Sequence, residues 1–93
     1  MHQALMRKFQ ERIRSKQYLM TLHAEEEMAD DAFTILDVEH AILSGQIAES
    51  QRDMKKREWK YLIRGSSLDD RSLAILARMS PTGKLVIITV YSV

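Results

Sequence analysis

The chain has 93 residues, of which 45% are hydrophobic, 6% aromatic and 29% charged, with a net charge of +1 and no cysteine. A chain of this length forms one domain, residues 1–93, able to bury roughly 60–65% of its unfolded surface without a metal or disulfide, and its apolar content argues against disorder. Disulfides, thiolate metal sites and cysteine nucleophiles are excluded. The longest apolar run, Leu85–Ile88, falls far short of the ~20 residues of a membrane span, and charges near the N-terminus replace the apolar stretch of an export signal, so a cytoplasmic location is expected.

Leu5, Phe9 and Ile13 recur at helical spacing among basic residues, which predicts an amphipathic helix over Met1–Ser15 without a clear N-cap. Five positive charges and one negative lie between Arg7 and Lys16. Gln17–Leu22 is a short apolar run with strand character. His23–Asp31 reads as a short helix with glutamates in its first turn, where they complement the helix dipole. It opens an acidic stretch: Glu25 to Glu39 holds seven carboxylates and no cation. Seven carboxylates without partners are expected to face solvent.

Thr34 and Asp37 predict a capping box for a helix over Ile35–Ser44, with Phe33 and Val38 as its hydrophobic staple and Gly45 expected in the left-handed C′ position. After Gly45 the apolar period changes from 3.6 to 2. Gln46–Glu49 starts a strand, Ser50–Arg57 reads as a loop or hairpin tip, and Trp59–Arg64 as a strand with Trp59, Tyr61 and Ile63 on one face and Lys60, Leu62 and Arg64 on the other. Ser72–Met79 follows, then a type I turn at Ser80–Gly83. The β-branched strand Lys84–Tyr91 is expected to be central and covered on both faces. Helices before consecutive strands give an α+β fold: two or three N-terminal helices packed on a curled antiparallel sheet of three to four strands.

The three histidines, His2, His23 and His40, have no metal-ligand spacing, so neither metal nor cofactor is expected. His2 falls in a fraying end and His40 on a helix rim. His23 stands at a strand-to-helix junction, where free N–H groups favour an anion and an imidazole suits proton transfer. Lys60, Arg64 and Arg78 lie on consecutive strands, Lys55, Lys56 and Arg57 crowd the loop before Trp59, and Tyr91 adds a hydroxyl near the C-terminus. Cations with aromatic rings along a sheet suit RNA. If the helices cover the Trp59, Tyr61 and Ile63 face, Lys60 and Arg64 are open to substrate; on the other arrangement they must reach round the rim.

The segments His23–Met28, Val38–Glu39 with Ala41, Ile42 and Gly45, Ile47–Glu49, Trp59–Tyr61 with Arg64 and Gly65, and Ser80–Tyr91 resemble the domain of unknown function 4258 family over roughly Tyr18–Tyr91. Residues 1–16 fall outside the resemblance, and residues 17–93 form the expected core. The resemblance implies a small α+β domain similar to RelE-type toxins and their microbial ribonuclease relatives. It also implies the toxin half of a toxin–antitoxin pair, with a small zinc-finger and helix-turn-helix antitoxin as partner. Many members carry arginines in the histidine helix; here Glu27 and Asp31 take those positions.

Two functions follow. One is a metal-independent ribonuclease in which His23 moves the proton, Lys60, Arg64 and Arg78 stabilise phosphate charge, and Tyr91 orients the substrate or donates a proton. The other is a non-catalytic module whose acidic helix engages a basic protein. The first helix is a candidate homodimer contact.

Overall fold

In a computed structural model that describes residues 2–93, helix α1 spans Gln3–Arg14 and buries Met6, Phe9 and Ile13. The His2 side chain, at its N-cap, makes no capping hydrogen bond. It ends through Lys16 in the left-handed region (φ 59°). The Lys16 N–H donates to Ile13 O (3.1 Å) and the Gln17 N–H to Arg12 O (2.8 Å), the paired bonds of a Schellman ending. Strand β1, Tyr18–Met20, leads into helix α2, Leu22–Asp30, which Thr21 caps by accepting the Ala24 N–H. α2 ends as α1 does, with Ala32 at φ 55° and the Phe33 N–H donating to Met28 O. Arg71 donates to the Asp31 and Ala32 carbonyls, at 3.0 Å each, and lies 4.3 Å over the Phe33 ring.

Helix α3, Ile35–Ser44, has the expected capping box: Thr34 accepts the Asp37 N–H, and Asp37 accepts the Thr34 N–H at 2.9 Å. Its end differs from expectation. Gly45 is extended (φ −100°, ψ −168°), and the left-handed endings belong to Lys16 and Ala32 instead. What Gly45 supplies is room. A Cβ there would stand 2.3 Å from Arg64 O and 2.4 Å from Ala41 O, and one on Gly65 would stand 2.0 Å from Ala41 O. The backbone of α3 therefore rests directly on the following strands.

Those strands are β2 (Gln46–Asp53), β3 (Glu58–Ser66), β4 (Ser72–Met79) and β5 (Leu85–Ser92). The sheet order is β1-β5-β4-β3-β2, antiparallel throughout except for the parallel pairing of β1 with β5. The described residues thus form a mixed five-stranded sheet, where three to four antiparallel strands were expected. One difference is β1. The other is Ser50–Asp53, expected in a loop or an extended hairpin tip, which extends β2 against Glu58–Tyr61. This edge segment is largely polar and exposed, so it has no apolar alternation to read. β5 also departs from expectation. It is second in the sheet, β1 pairs only with Leu85–Ile87, and Tyr91 at its far end is 37% exposed.

The core lies between the helices and one sheet face. Met6, Phe9, Ile13, Val38 and Ile42 meet Ile63, Leu73, Ile75, Leu85 and Val90 in a single buried cluster. Two carboxylates expected in solvent are buried beside it. Asp37 accepts N–H groups of Thr34 and Leu68, and Glu39 accepts from Lys16 and Tyr18. Hydrogen bonds from the Thr34 backbone first, and then from Leu68, hold the Asp37 carboxyl below its usual range against the opposing effect of burial. Burial pushes Glu39 up, but Lys16 and Tyr18 outweigh it and the carboxyl is held low. Burial and the Glu39 carboxylate push the Tyr18 phenol up to about 12.

Two predictions follow from this packing. Gly65→Ala should destabilise the protein by about 3 kcal/mol or more in urea denaturation, because the clash is with backbone that cannot rotate away. The second concerns acid. Asp37 and Glu39 bind protons more weakly in the folded than in the unfolded chain, so their contribution is complete above the unfolded values, near 4. It is lost as pH falls through the lower folded values. Denaturation midpoints measured across pH should fall below about pH 4. Asp37→Asn should flatten that fall and cost about 1–2 kcal/mol at neutral pH through the weakened helix cap.

Candidate functional site

All the helix-facing core residues of β3 and β4 have one parity: Ile63 with the half-buried Tyr61 on β3, and Leu73, Ile75 and Ala77 on β4. The alternate residues therefore form the uncovered face. It carries Lys60, Leu62 and Arg64 of β3, Ala74, Leu76 and Arg78 of β4, and Val86, Thr89 and Tyr91 of β5. Of the two arrangements open from sequence, the structure has the one that leaves Lys60 and Arg64 on the free face.

The register separates this face into two parts. Arg64 pairs with Ala74 and Ala74 with Tyr91, so Arg64 and Tyr91 share one cross-strand row, two strands or about 10 Å apart. Between them Ala74 contributes only a methyl group, which its neighbours bury completely. Lys60 and Arg78 lie toward the other end of the face, Lys60 about 13 Å along the strand from Arg64. Both are matched by acids: Lys60 Nζ is 3.3 Å from Asp53 Oδ2, and Arg78 Nε is 3.6 Å from Glu58 Oε1. The Asp53 carboxyl is held low, first by the Lys56 N–H and then by Lys60. Arg64 is exposed and, among the described residues, pairs with no carboxylate.

His23 does not lie on this face but on α2, which flanks the sheet edge. β1 stops at Met20, and from there the edge of β5 is paired by side chains and turns rather than by a strand. Thr21 donates through its N–H to Ile87 O (3.0 Å) and through its hydroxyl to Ile88 O (2.9 Å). Glu27 accepts the Val90 N–H at 3.1 Å and Asp31 the Ser92 N–H at 3.2 Å. α2 therefore lies along β5, and its acids take the place of a neighbouring strand's carbonyls. His23 is exposed, and its Nε2 lies 3.2 Å from the same Glu27 Oε1 that accepts from Val90. The residue next to Val90 is Tyr91, so Arg64 and Tyr91 share a row and Glu27 links His23 to its edge.

The acidic stretch is consequently less exposed than expected. Asp37 and Glu39 are buried, and Glu27 and Asp31 serve the β5 edge. Glu25, Glu26 and Asp30 remain exposed on α2. The other two histidines make contacts across the fold. His40 is half-buried with Nδ1 2.7 Å from Ser66 O, joining α3 to β3. His2 packs its ring edge-on against Tyr61, with centroids 5.9 Å apart. Neither contact has a local sequence signal, since each joins residues far apart in the chain. Among the described residues no helix is long and apolar enough to cross a membrane.

One family model, described as a domain of unknown function (DUF4258), matches residues 20–92. No curated protein and no solved structure matches the chain. α1 lies outside the matched residues, although it supplies Met6, Phe9 and Ile13 to the core.

Removing the Glu27 carboxylate should expose the β5 edge. Glu27→Ala leaves the Val90 N–H without its acceptor, which should cost about 1–3 kcal/mol and speed hydrogen exchange at Val90 measured by NMR. Glu27→Gln keeps a carbonyl oxygen at that position and should retain most of the protection.

Proposed function

The chain belongs to the DUF4258 family, and from that premise we propose that it is a RelE-like endoribonuclease, the toxin component of a toxin–antitoxin pair. The observation that carries this reading is that Lys60, Arg64, Arg78 and Tyr91 all share the one sheet face without a helix over it. A polyanion can lie along that face, held by cations and by the phenol at its end.

In the proposed reaction the ribose 2′-oxygen attacks the adjacent phosphorus and the bond to the 5′-oxygen breaks, leaving a cyclic phosphate and a 5′-hydroxyl. His23 takes the 2′-hydroxyl proton, with Glu27 orienting the ring through Nε2. Tyr91 gives a proton to the departing oxygen. Arg64, which pairs with no carboxylate among the described residues, stabilises the charge that builds on the phosphorane. Lys60 and Arg78, each shared with an acid, hold neighbouring phosphates.

A second reading has its own observation. Glu25, Glu26 and Asp30 are exposed on α2 and pair with no cation among the described residues, a surface suited to a basic protein partner. On this reading the domain binds and does not cleave.

Expression in bacteria without a neighbouring antitoxin separates the two. The ribonuclease reading expects growth arrest with RNA decay, and His23→Ala or Arg64→Ala should lower cleavage by the purified, folded protein about 100-fold or more. Intact RNA and normal growth with the wild-type chain would leave the binding module standing.

A further inference from the structure

We propose that the groove between α1 and the β2–β3 hairpin, on the helix side of the sheet, binds the bases of single-stranded nucleic acid. Two hollows lie there, both lined in part by His2. The larger, about 460 Å3, is bounded by Met6, Arg7, Gln46 and Ile47 among others, and falls within the size range of small-molecule sites, about 300–1,000 Å3. The smaller, about 190 Å3, lies among His2, Ser50, Trp59 and Tyr61. The chain has 13 acidic residues, yet none of the described residues bounding either hollow is acidic.

The aromatic geometry suits a base. Trp59 is 46% exposed although it is the largest apolar side chain present, and the Arg52 guanidinium lies 5.2 Å from its ring centroid. Trp59 and Tyr61 alternate on one face of β3, about 6.6 Å apart along the strand. Both rings border the smaller hollow, so a base lying in it can contact either. Tyr61 is braced edge-on by Phe9, with centroids 5.7 Å apart, and by His2, so it forms a fixed wall. Arg7 on one side, with Lys55, Lys56 and Arg57 exposed at the hairpin tip, supplies cations for the phosphates. A charged groove with stacking rings is the combination that holds single strands without reading their sequence.

An extended peptide added to the free edge of β2 is the competing occupant. The bulge between Ile47 and Glu49 interrupts that edge, and such irregularities disfavour strand addition. The proposal does not rest on the cleavage reading, because the groove lies on the opposite face of β3 from Arg64.

The probe is a 2′-O-methylated oligouridylate of about eight nucleotides, which has no free 2′-hydroxyl and so reports binding whether or not the protein cleaves. Trp59 is the sole tryptophan, so its emission should be quenched saturably as the oligonucleotide is added. By anisotropy of a labelled copy, Trp59→Ala should weaken binding about 10-fold or more, and Trp59→Phe should retain most of it. Arg7→Ala should lower the slope of log affinity against log salt by about one. Lys84→Ala, in the turn before β5, should change neither. The proposal is overturned if the oligonucleotide does not quench Trp59, if inorganic polyphosphate quenches it equally, or if binding survives Trp59→Ala. It is also overturned if an extended peptide occupies the groove and the oligonucleotide does not.

Discussion

The contact on which the rest of this structure depends is between the Ala41 carbonyl of α3 and two residues without side chains. Gly65 of β3 and Gly45 at the head of β2 leave no room for a Cβ beneath that carbonyl. A helix resting this closely on a strand fixes which face of the strand it covers. Gly65 shares its parity with Tyr61 and Ile63, so the close approach commits that set to the core side. Lys60, Leu62 and Arg64 are then left outside. The free face and the covered groove are two consequences of one steric fact.

A second constraint is the edge of β5. Three residues of β1 pair with it, and the remaining N–H groups of Val90 and Ser92 would otherwise be unpaired beside a packed helix. Glu27 and Asp31 satisfy them. An unpaired backbone donor costs about 1–3 kcal/mol when buried, so these acids have a structural use that net charge does not reveal. The same holds for Asp37 and Glu39 beneath α3. Charge segregation along the chain overstates the acidity of the surface, because four of the seven carboxylates are turned inward or along the sheet edge.

The two sides of β3 carry different chemistry. One side presents a single unmatched guanidinium and a phenol across one row, with a histidine joined to the adjacent edge through Glu27. The other presents aromatic rings beside a groove bounded by polar, apolar and basic residues, whose second wall is α1. That helix lies outside the family match but is tied in through Phe9, Ile13 and the bond from Arg12 Nε to Gly83 O at 2.6 Å. It contributes to the core and to the groove alike.

Local signals in the sequence were sufficient for α1, α2 and α3, the capping box at Thr34, the strands β3, β4 and β5, and the common parity of Lys60 and Arg64. Each depends on residues a few positions apart, where periodicity and capping act. The sequence also named His23, Lys60, Arg64, Arg78 and Tyr91 as candidates for chemistry. It could not show that β1 pairs parallel with β5, that polar Ser50–Asp53 is strand, or that Gly45 is needed for clearance rather than for a left-handed turn. Nor could it show that Lys60 and Arg78 are matched by Asp53 and Glu58 while Arg64 is not, or that His2 packs edge-on against Tyr61. Those facts are set by which segments meet across the sheet, and strand order, steric contact and ion pairing between distant residues leave no period in the chain to be read.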